Sequence, residues 1–246
     1  MEAKLKQIGR WHSDRLQQEI QLVRWGTFGT PVLLFPTAGG DAEEIERFLM
    51  IKVLTPLLEA GKIKIYSVDS IACRALLSGD HGPRHCAWLM NQFDAFLHHE
   101  VVPAIRVDCQ SADIEVISAG ASIGAFNALA VLARHPDVFK AAVCLSGSFD
   151  LDRLMHMEVT PDFYFSSPLH FLPNLGESEQ LRLLRERFVL LAHGEGRYED
   201  PDQNWRIARI LGAKGIPNRV DSWGREYDHD WMTWRAMLPK YLEQLA

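Results

Sequence analysis

Several features of membrane and secreted proteins are missing from this 246-residue chain. It contains no apolar run of about 18 residues, so we expect no membrane-spanning helix. Residues 1–18 mix charged and apolar side chains throughout, so we expect no secretory signal peptide. The chain has only 4 cysteines and no C-x-x-C pair, which argues against a zinc ribbon or a thioredoxin-type site. Reduced thiols and a cytoplasmic location follow as the expectation.

Basic residues are in the minority. Lys and Arg number 26 against 32 Asp and Glu, which gives a net charge of −6. We therefore expect the chain to bind neither nucleic acid nor an anionic membrane surface. Apolar residues at 47% and charged residues at 24% are typical of a globular protein and exclude a disordered chain. No linker or repeat divides the sequence, so we expect a single domain over residues 1–246, either as a monomer or as a homo-oligomer.

Short apolar runs alternate with amphipathic stretches along the chain. The predicted strands are 20–23, 32–35, 63–68, 114–118, 142–145, 188–192 and 219–222. The predicted helices are 43–58, 85–105, 125–133, 202–211 and 231–242. This alternation predicts an α/β fold, in which a mostly parallel sheet carries helices on both faces. The first strand shows only partial alternation, so we expect it in an antiparallel hairpin at the edge of the sheet.

Residues 150–185 interrupt this rhythm with three prolines and a cluster of aromatic residues. We expect an irregular insertion with a short helix over 178–187, which is either a surface excursion without a role in binding or a cap or wall of a binding pocket.

A G-x-S-x-G motif is formed by Gly120, Ser122 and Gly124, between a predicted strand and a predicted helix. A nucleophilic serine in this setting projects from a very sharp turn, which glycines on either side leave uncrowded. The turn also places the serine at a helix N-terminus, where backbone N–H groups favour developing negative charge. We therefore predict that Ser122 is a catalytic nucleophile.

A serine nucleophile needs a histidine base, and His229 has the matching position. It lies in the loop between the last predicted strand and the final helix, from which it can reach across the end of the sheet to Ser122. His98 and His99 are adjacent on a predicted helix, where neighbouring side chains point about 100° apart, so we expect that they cannot both coordinate one ion. We therefore predict neither a metal site nor a cofactor.

The third triad member should follow the next-to-last strand, where residues 195–202 contain four carboxylates. Pro201 suits the first helical position, which makes Asp200 the N-cap residue. Asp202 falls in the first turn, where negative charge suits the helix dipole. Glu199 has no such structural explanation, so we favour Glu199 as the acid and retain Asp200 as the alternative.

An oxyanion hole needs two N–H donors. The residue after the nucleophile, Ile123, should supply one of them. The second should come from the loop 36–40, which reads P-T-A-G-G, because its small residues allow the backbone to approach a reacting carbonyl.

Taken together, these motifs resemble the putative esterase family of the α/β-hydrolase superfamily, the branch of esterase D, feruloyl esterases and mycolyltransferases. The resemblance is carried by F-P-T-A-G-G at 35–40, F-L-H-H-E-V-V-P-A-I at 96–105, G-A-S-I-G at 120–124 and H-D-W-M-T-W-R at 229–235. It implies an α/β-hydrolase fold, with Ser122 as nucleophile, His229 as base and Ala38 as the second oxyanion donor.

The expected activity is hydrolysis of a small-molecule carboxylic ester through an acyl-enzyme on Ser122. An acyltransferase that uses the same triad is the first alternative. A non-catalytic binding protein with this fold is the second, because a fold alone does not imply a function.

Overall fold

A computed structural model describes residues 6–155 and 159–246 of the chain, and it is built around an eight-stranded sheet. The strands are β1 Lys6–Ser13, β2 Gln18–Trp25, β3 Thr30–Phe35, β4 Ile63–Val68, β5 Val116–Ala121, β6 Phe139–Leu145, β7 Phe188–His193 and β8 Asn218–Ser222. Their spatial order is β1-β2-β4-β3-β5-β6-β7-β8. Strands β3 to β8 pair in parallel, whereas β2 is antiparallel to both β1 and β4. The predicted mostly parallel sheet and the N-terminal hairpin are both present.

Helices of very different lengths connect these strands. They are α1 Glu44–Arg47, α2 Met50–Glu59, α3 Ile71–Ser78, α4 Pro83–Phe96, α5 Val102–Asp108, α6 Ile123–Arg134, α7 Asp152–Met155, α8 Pro161–Ser166, α9 Pro168–Phe171, α10 Glu179–Leu184, α11 Pro201–Ala213 and α12 Trp231–Leu245. A π-helical turn, Leu97–Val101, joins α4 to α5, and a 3₁₀ turn, Leu172–Asn174, follows α9. No helix in the described ranges is long and apolar enough to cross a membrane.

The core consists of two apolar clusters, one on each face of the sheet. Helices α2 and α12 cover one face through side chains such as Leu54 and Leu238. Helices α3 to α6 and α11 cover the other, with Phe93 and Leu129 among the buried residues. Strands β3 and β5 to β7 are buried on both faces, which explains their mostly apolar sequences.

Two of the predicted helices are interrupted. Leu49 adopts a left-handed backbone conformation with φ 63°, which divides the predicted helix 43–58 into α1 and α2. The predicted helix 85–105 is continuous only through the π-helical turn 97–101. Strand β1 was not predicted, because it is mostly exposed and its sequence lacks an apolar run. Helix α3 was also not predicted.

The insertion at 150–185 is more regular than predicted. Its described part carries α7 to α10, and residues 156–158 lie outside the described residues. The predicted helix over 178–187 is α10, whose first turn is capped by Ser178. Phe163 and Leu184 are buried in the core on the α4 and α6 face. Much of the insertion therefore packs against the fold, and its role as a pocket wall stays a prediction.

Candidate active site

Ser122 occupies the turn between β5 and α6, with φ 56° and ψ −124°. This backbone conformation is rare for a residue with a side chain. A Cβ atom on Gly120 would lie 2.3 Å from the backbone of Gly124, and one on Gly124 would lie 2.6 Å from the carbonyl oxygen of Pro36. The turn therefore requires both glycines of the motif, and it leaves the Ser122 side chain only partly buried.

The loop between β8 and α12 brings His229 to this turn. His229 Nε2 lies 3.0 Å from Ser122 Oγ, within hydrogen-bonding distance. Asp230 is the N-cap of α12 and accepts a hydrogen bond from the Thr233 N–H at 3.0 Å, so the helix begins directly after the histidine. The Trp234 ring packs edge-to-face against His229, with ring centroids 5.1 Å apart. The imidazole is thus held from the side by the first turn of the helix.

Glu199 is the acidic residue of the 195–202 loop whose carboxylate faces His229. Its Oε2 lies 3.9 Å from His229 Nδ1, and its side chain is 1% exposed. Its other oxygen, Oε1, accepts a hydrogen bond from Ser146 Oγ at 2.5 Å. Within the described residues, neither Glu199 Oε2 nor His229 Nδ1 has a hydrogen-bond partner, although both atoms are buried.

The neighbouring carboxylates have other contacts. Asp200 is exposed and is the N-cap of α11, the position that the sequence predicts. Its carboxylate accepts no backbone N–H of the helix, the usual role of an N-cap aspartate, but accepts a hydrogen bond from the Gln203 side chain at 3.0 Å. Gln203 in turn accepts the N–H groups of Phe149 and Asp150. Asp200 therefore positions Gln203, and Gln203 in turn holds the backbone at the start of the insertion.

The loops that carry Glu199 and His229 are joined to each other. The Arg197 guanidinium donates two hydrogen bonds to the Asp228 carboxylate, and the Arg197 backbone N–H donates a third at 2.7 Å. The His229 N–H donates to the Arg197 carbonyl oxygen at 3.0 Å. The side-chain hydrogen bond from Arg197 lowers the pKa of Asp228. This pairing fixes the two loops relative to one another on the side of the site that faces solvent.

The loop after β3 adjoins the Ser122 turn, because Phe35 pairs with Gly120 in the sheet. Buried Glu44 holds this loop by accepting the Thr37 N–H at 2.7 Å and the Thr37 hydroxyl at 2.9 Å. The hydrogen bonds found among the described residues leave the N–H groups of Ala38 and Ile123 without an acceptor. Both N–H groups are therefore free to donate to a ligand.

Two serines in the loop after β6 belong to the site and were not anticipated from the sequence. Ser146 Oγ accepts a hydrogen bond from Trp234 Nε1 at 2.9 Å while it donates to Glu199. Ser148 Oγ lies 3.5 Å from Ser122 Oγ, and the Ser148 N–H donates to the Ser122 carbonyl oxygen. Both serines follow β6, and its parallel pairing with β5 could have indicated their position beside Ser122.

Comparison with known proteins adds a family to this geometry. The profile of a family described as "Putative esterase" matches residues 82–245. The chain belongs to the putative esterase family. It is accordingly an esterase, an enzyme that hydrolyses carboxylic esters. A search of curated proteins gives no match.

Solved structures similar to this esterase include a ferulic acid esterase, with a TM-score of 0.75 and 16% identity over 98% of this chain and 96% of that one. An S-formylglutathione hydrolase from Agrobacterium tumefaciens has a TM-score of 0.72 and 11% identity, over 97% and 93% of the two chains. The fluorophosphonate-binding serine hydrolase FphF of Staphylococcus aureus has a TM-score of 0.68 and 17% identity, over 98% and 97%. These likenesses show that the esterase has the α/β-hydrolase fold.

Proposed function

We propose that this esterase hydrolyses small-molecule carboxylic esters through a covalent acyl-enzyme on Ser122, with His229 as general base and Glu199 as the acid of the triad. The observation that carries the proposal is the 3.0 Å contact between Ser122 Oγ and His229 Nε2. The chain order of serine, acid and histidine matches the order expected for this fold. The matched family supports ester hydrolysis as the reaction.

In the first half-reaction, Ser122 Oγ attacks the acyl carbon and its proton passes to His229 Nε2. The tetrahedral intermediate collapses when the carbon–oxygen bond to the alcohol breaks, and the proton on Nε2 passes to the leaving alkoxide. In the second half-reaction, His229 takes a proton from water, the hydroxide attacks the acyl carbon, and the proton returns to Ser122 as the carboxylic acid leaves. Glu199 holds the imidazole in orientation and stabilises its positive charge.

The oxyanion that forms in each half-reaction needs donors that are already in place. We assign this role to the N–H groups of Ile123 and Ala38, because both lack an acceptor among the described residues. Ile123 is the first residue of α6, so the helix dipole adds to its N–H in stabilising negative charge. Glu44 accepts the N–H and the hydroxyl of Thr37 and so holds the backbone next to Ala38 in place.

The experiment is to measure hydrolysis of p-nitrophenyl acetate, butyrate and octanoate by the wild-type enzyme and by Ser122→Ala. We expect hydrolysis by the wild type, and a gain in the mass of the intact protein equal to one acyl group when turnover is quenched. An added alcohol tests the acyltransferase alternative, since a transferase would yield mostly the new ester rather than the acid. Undiminished hydrolysis by Ser122→Ala would contradict the proposed nucleophile.

A cytoplasmic location remains part of this proposal. All of the cysteines are free, and Cys73, Cys86 and Cys144 are buried. Free thiols are usual in a reducing compartment. Fractionation of the source cells, with detection of the enzyme by antibody, tests this location directly.

A further inference from the structure

Two histidines meet at the C-terminal end of α6, the end opposite Ser122. His98 lies on the π-helical turn Leu97–Val101, and His135 directly follows α6. Their rings stack with centroids 4.2 Å apart, and Asp137 adds a carboxylate. One ligand atom from each of these three residues lies within 4.8 Å of those of the other two. Because α6 has 12 residues, the cluster lies about 18 Å from the Ser122 turn.

We propose that His98, His135 and Asp137 form a zinc site that is separate from the active site. Two imidazoles and one carboxylate are a donor set that Zn²⁺ commonly takes, with water in the fourth position. The sequence argument against a metal concerned the adjacent pair His98 and His99, whose rings meet edge-to-face with centroids 4.7 Å apart. The fold also gives His98 a stacked partner, His135, from the end of α6.

Asp94 supports the proposal from outside the cluster. It is buried on α4, and its Oδ2 lies 2.9 Å from His135 Nε2 and 3.1 Å from Arg134 Nε. Because a carboxylate accepts this bond, the proton of His135 lies on Nε2 and the lone pair of Nδ1 is free for a metal. A carboxylate that receives the second N–H of a ligand histidine is the usual outer partner in zinc sites.

Binding requires a small rearrangement that can be observed. In a filled tetrahedral site the ligand atoms lie about 3.4 Å apart, which follows from Zn–N distances near 2.0–2.1 Å. The planes of the two stacked rings differ by only 11°, so their lone pairs lie in separate, nearly parallel planes and cannot converge on one ion. The half-buried His98 ring must therefore turn out of the stack, whereas Asp94 keeps His135 in place. Zinc would then tie the end of α6 to the helix formed by α4 and α5.

The test starts from protein that has been freed of metal with a chelator and then dialysed. Calorimetric titration with Zn²⁺ should show a single site, and thermal unfolding should shift to higher temperature. His98→Gln and His135→Gln should abolish this site, and Asp137→Asn should weaken it. Asp94→Asn should lower zinc affinity by about 10–100-fold, as losses of outer partners do. His81→Ala is the control, because His81 is an exposed histidine that precedes α4 and is separated from His98 by the length of that helix, and it should keep the wild-type affinity.

Absence of zinc binding by the wild type would overturn the proposal, and so would unchanged affinity in both His98→Gln and His135→Gln. Asp137 is exposed, so we expect Asp137→Asn to fold like the wild type, and a loss of zinc affinity in this variant would report on the site itself. Ester hydrolysis by Asp137→Asn should equal that of the wild type with and without zinc. The experiments therefore test the zinc site independently of the proposed catalytic function.

Discussion

The Glu199 carboxylate and the His229 imidazole face each other across 3.9 Å, measured from Oε2 to Nδ1. This distance is too long for a hydrogen bond. Each of the two atoms is nevertheless buried and lacks another partner in the described part of the chain. A buried acceptor and a buried donor left unpaired are costly, so a small movement that joins them is favourable. We expect the distance to fall to about 2.7–2.9 Å when a ligand binds.

The first prediction separates the two candidate acids. Glu199→Gln should lower kcat by about 10⁴, because the imidazole loses the carboxylate that orients it. Asp200→Asn is the matched control, since Asp200 is adjacent and exposed and, among the described residues, its carboxylate bonds only to Gln203. Its kcat should stay near the wild-type value. Steady-state hydrolysis of p-nitrophenyl butyrate measures both, and an inactive Asp200→Asn beside an active Glu199→Gln would reverse the assignment.

The second prediction concerns Ser146, which links Trp234 to Glu199 through its hydroxyl group. Ser146→Ala leaves a buried carboxylate oxygen and a buried indole N–H without this partner, which should cost about 1–3 kcal/mol of stability. We also expect a lower kcat, because Glu199 loses its anchor.

Ser118→Ala is the control for Ser146→Ala. Ser118 is also buried in the sheet and donates a hydrogen bond to the Ala128 carbonyl oxygen, but has no contact with the acid. Its removal should lower stability while kcat stays unchanged. Urea unfolding and steady-state kinetics on both variants distinguish a positioning role from general destabilisation. Equal kcat values for the two variants would argue against a role for Ser146.

The third prediction concerns stability and its dependence on pH. Asp108 Oδ2 accepts hydrogen bonds from Lys64 Nζ at 2.6 Å and from the Tyr66 hydroxyl at 2.5 Å. Asp108 Oδ1 accepts a hydrogen bond from the Arg24 guanidinium at 3.1 Å. Burial opposes ionisation of Asp108, but these hydrogen bonds and the charge of Arg24 outweigh burial and lower its pKa. Because the pKa is lower in the folded state, this stabilisation is present above the pKa of the unfolded chain. It is lost as the pH falls through the folded-state pKa.

Asp108→Asn should therefore reduce the free energy of unfolding at pH 7 by at most about 3 kcal/mol, because it leaves buried Lys64 without its counter-charge. In acid the difference from wild type should shrink. Asp113→Asn, an exposed residue five positions further along the chain, should have no such effect. Urea unfolding at several pH values measures this, and a constant difference at every pH would contradict the assigned role of Asp108.

The sequence predicts the fold well where burial dictates composition. The apolar runs of β3 and β7 are continuous because neighbouring strands and helices on both faces enclose them, and this pattern can be read without coordinates. The approach of His229 to Ser122 also follows from chain order, since both residues follow parallel strands at the same edge of the sheet. Strand β1 escapes prediction because one exposed edge strand needs few apolar residues.

Residues that act through a single hydrogen bond are harder to predict. Ser146 and Ser148 follow an ordinary strand, and nothing in their local sequence distinguishes them from other serines. Their position is decided by the pairing of β6 with β5, which is a long-range contact. Likewise, the left-handed conformation of Leu49 has no marker in the sequence, since leucine rarely adopts it.

The most direct measurement of the central claim is the site of covalent labelling by a fluorophosphonate, read by mass spectrometry of the digested protein. We expect the adduct on Ser122 alone, because this serine has a base at 3.0 Å and neighbouring N–H groups that have no acceptor in the described part of the chain. Ser122→Ala should prevent labelling and lower kcat by about 10⁴–10⁶. An adduct on Ser146 or Ser148 instead, or full activity in Ser122→Ala, would contradict the account.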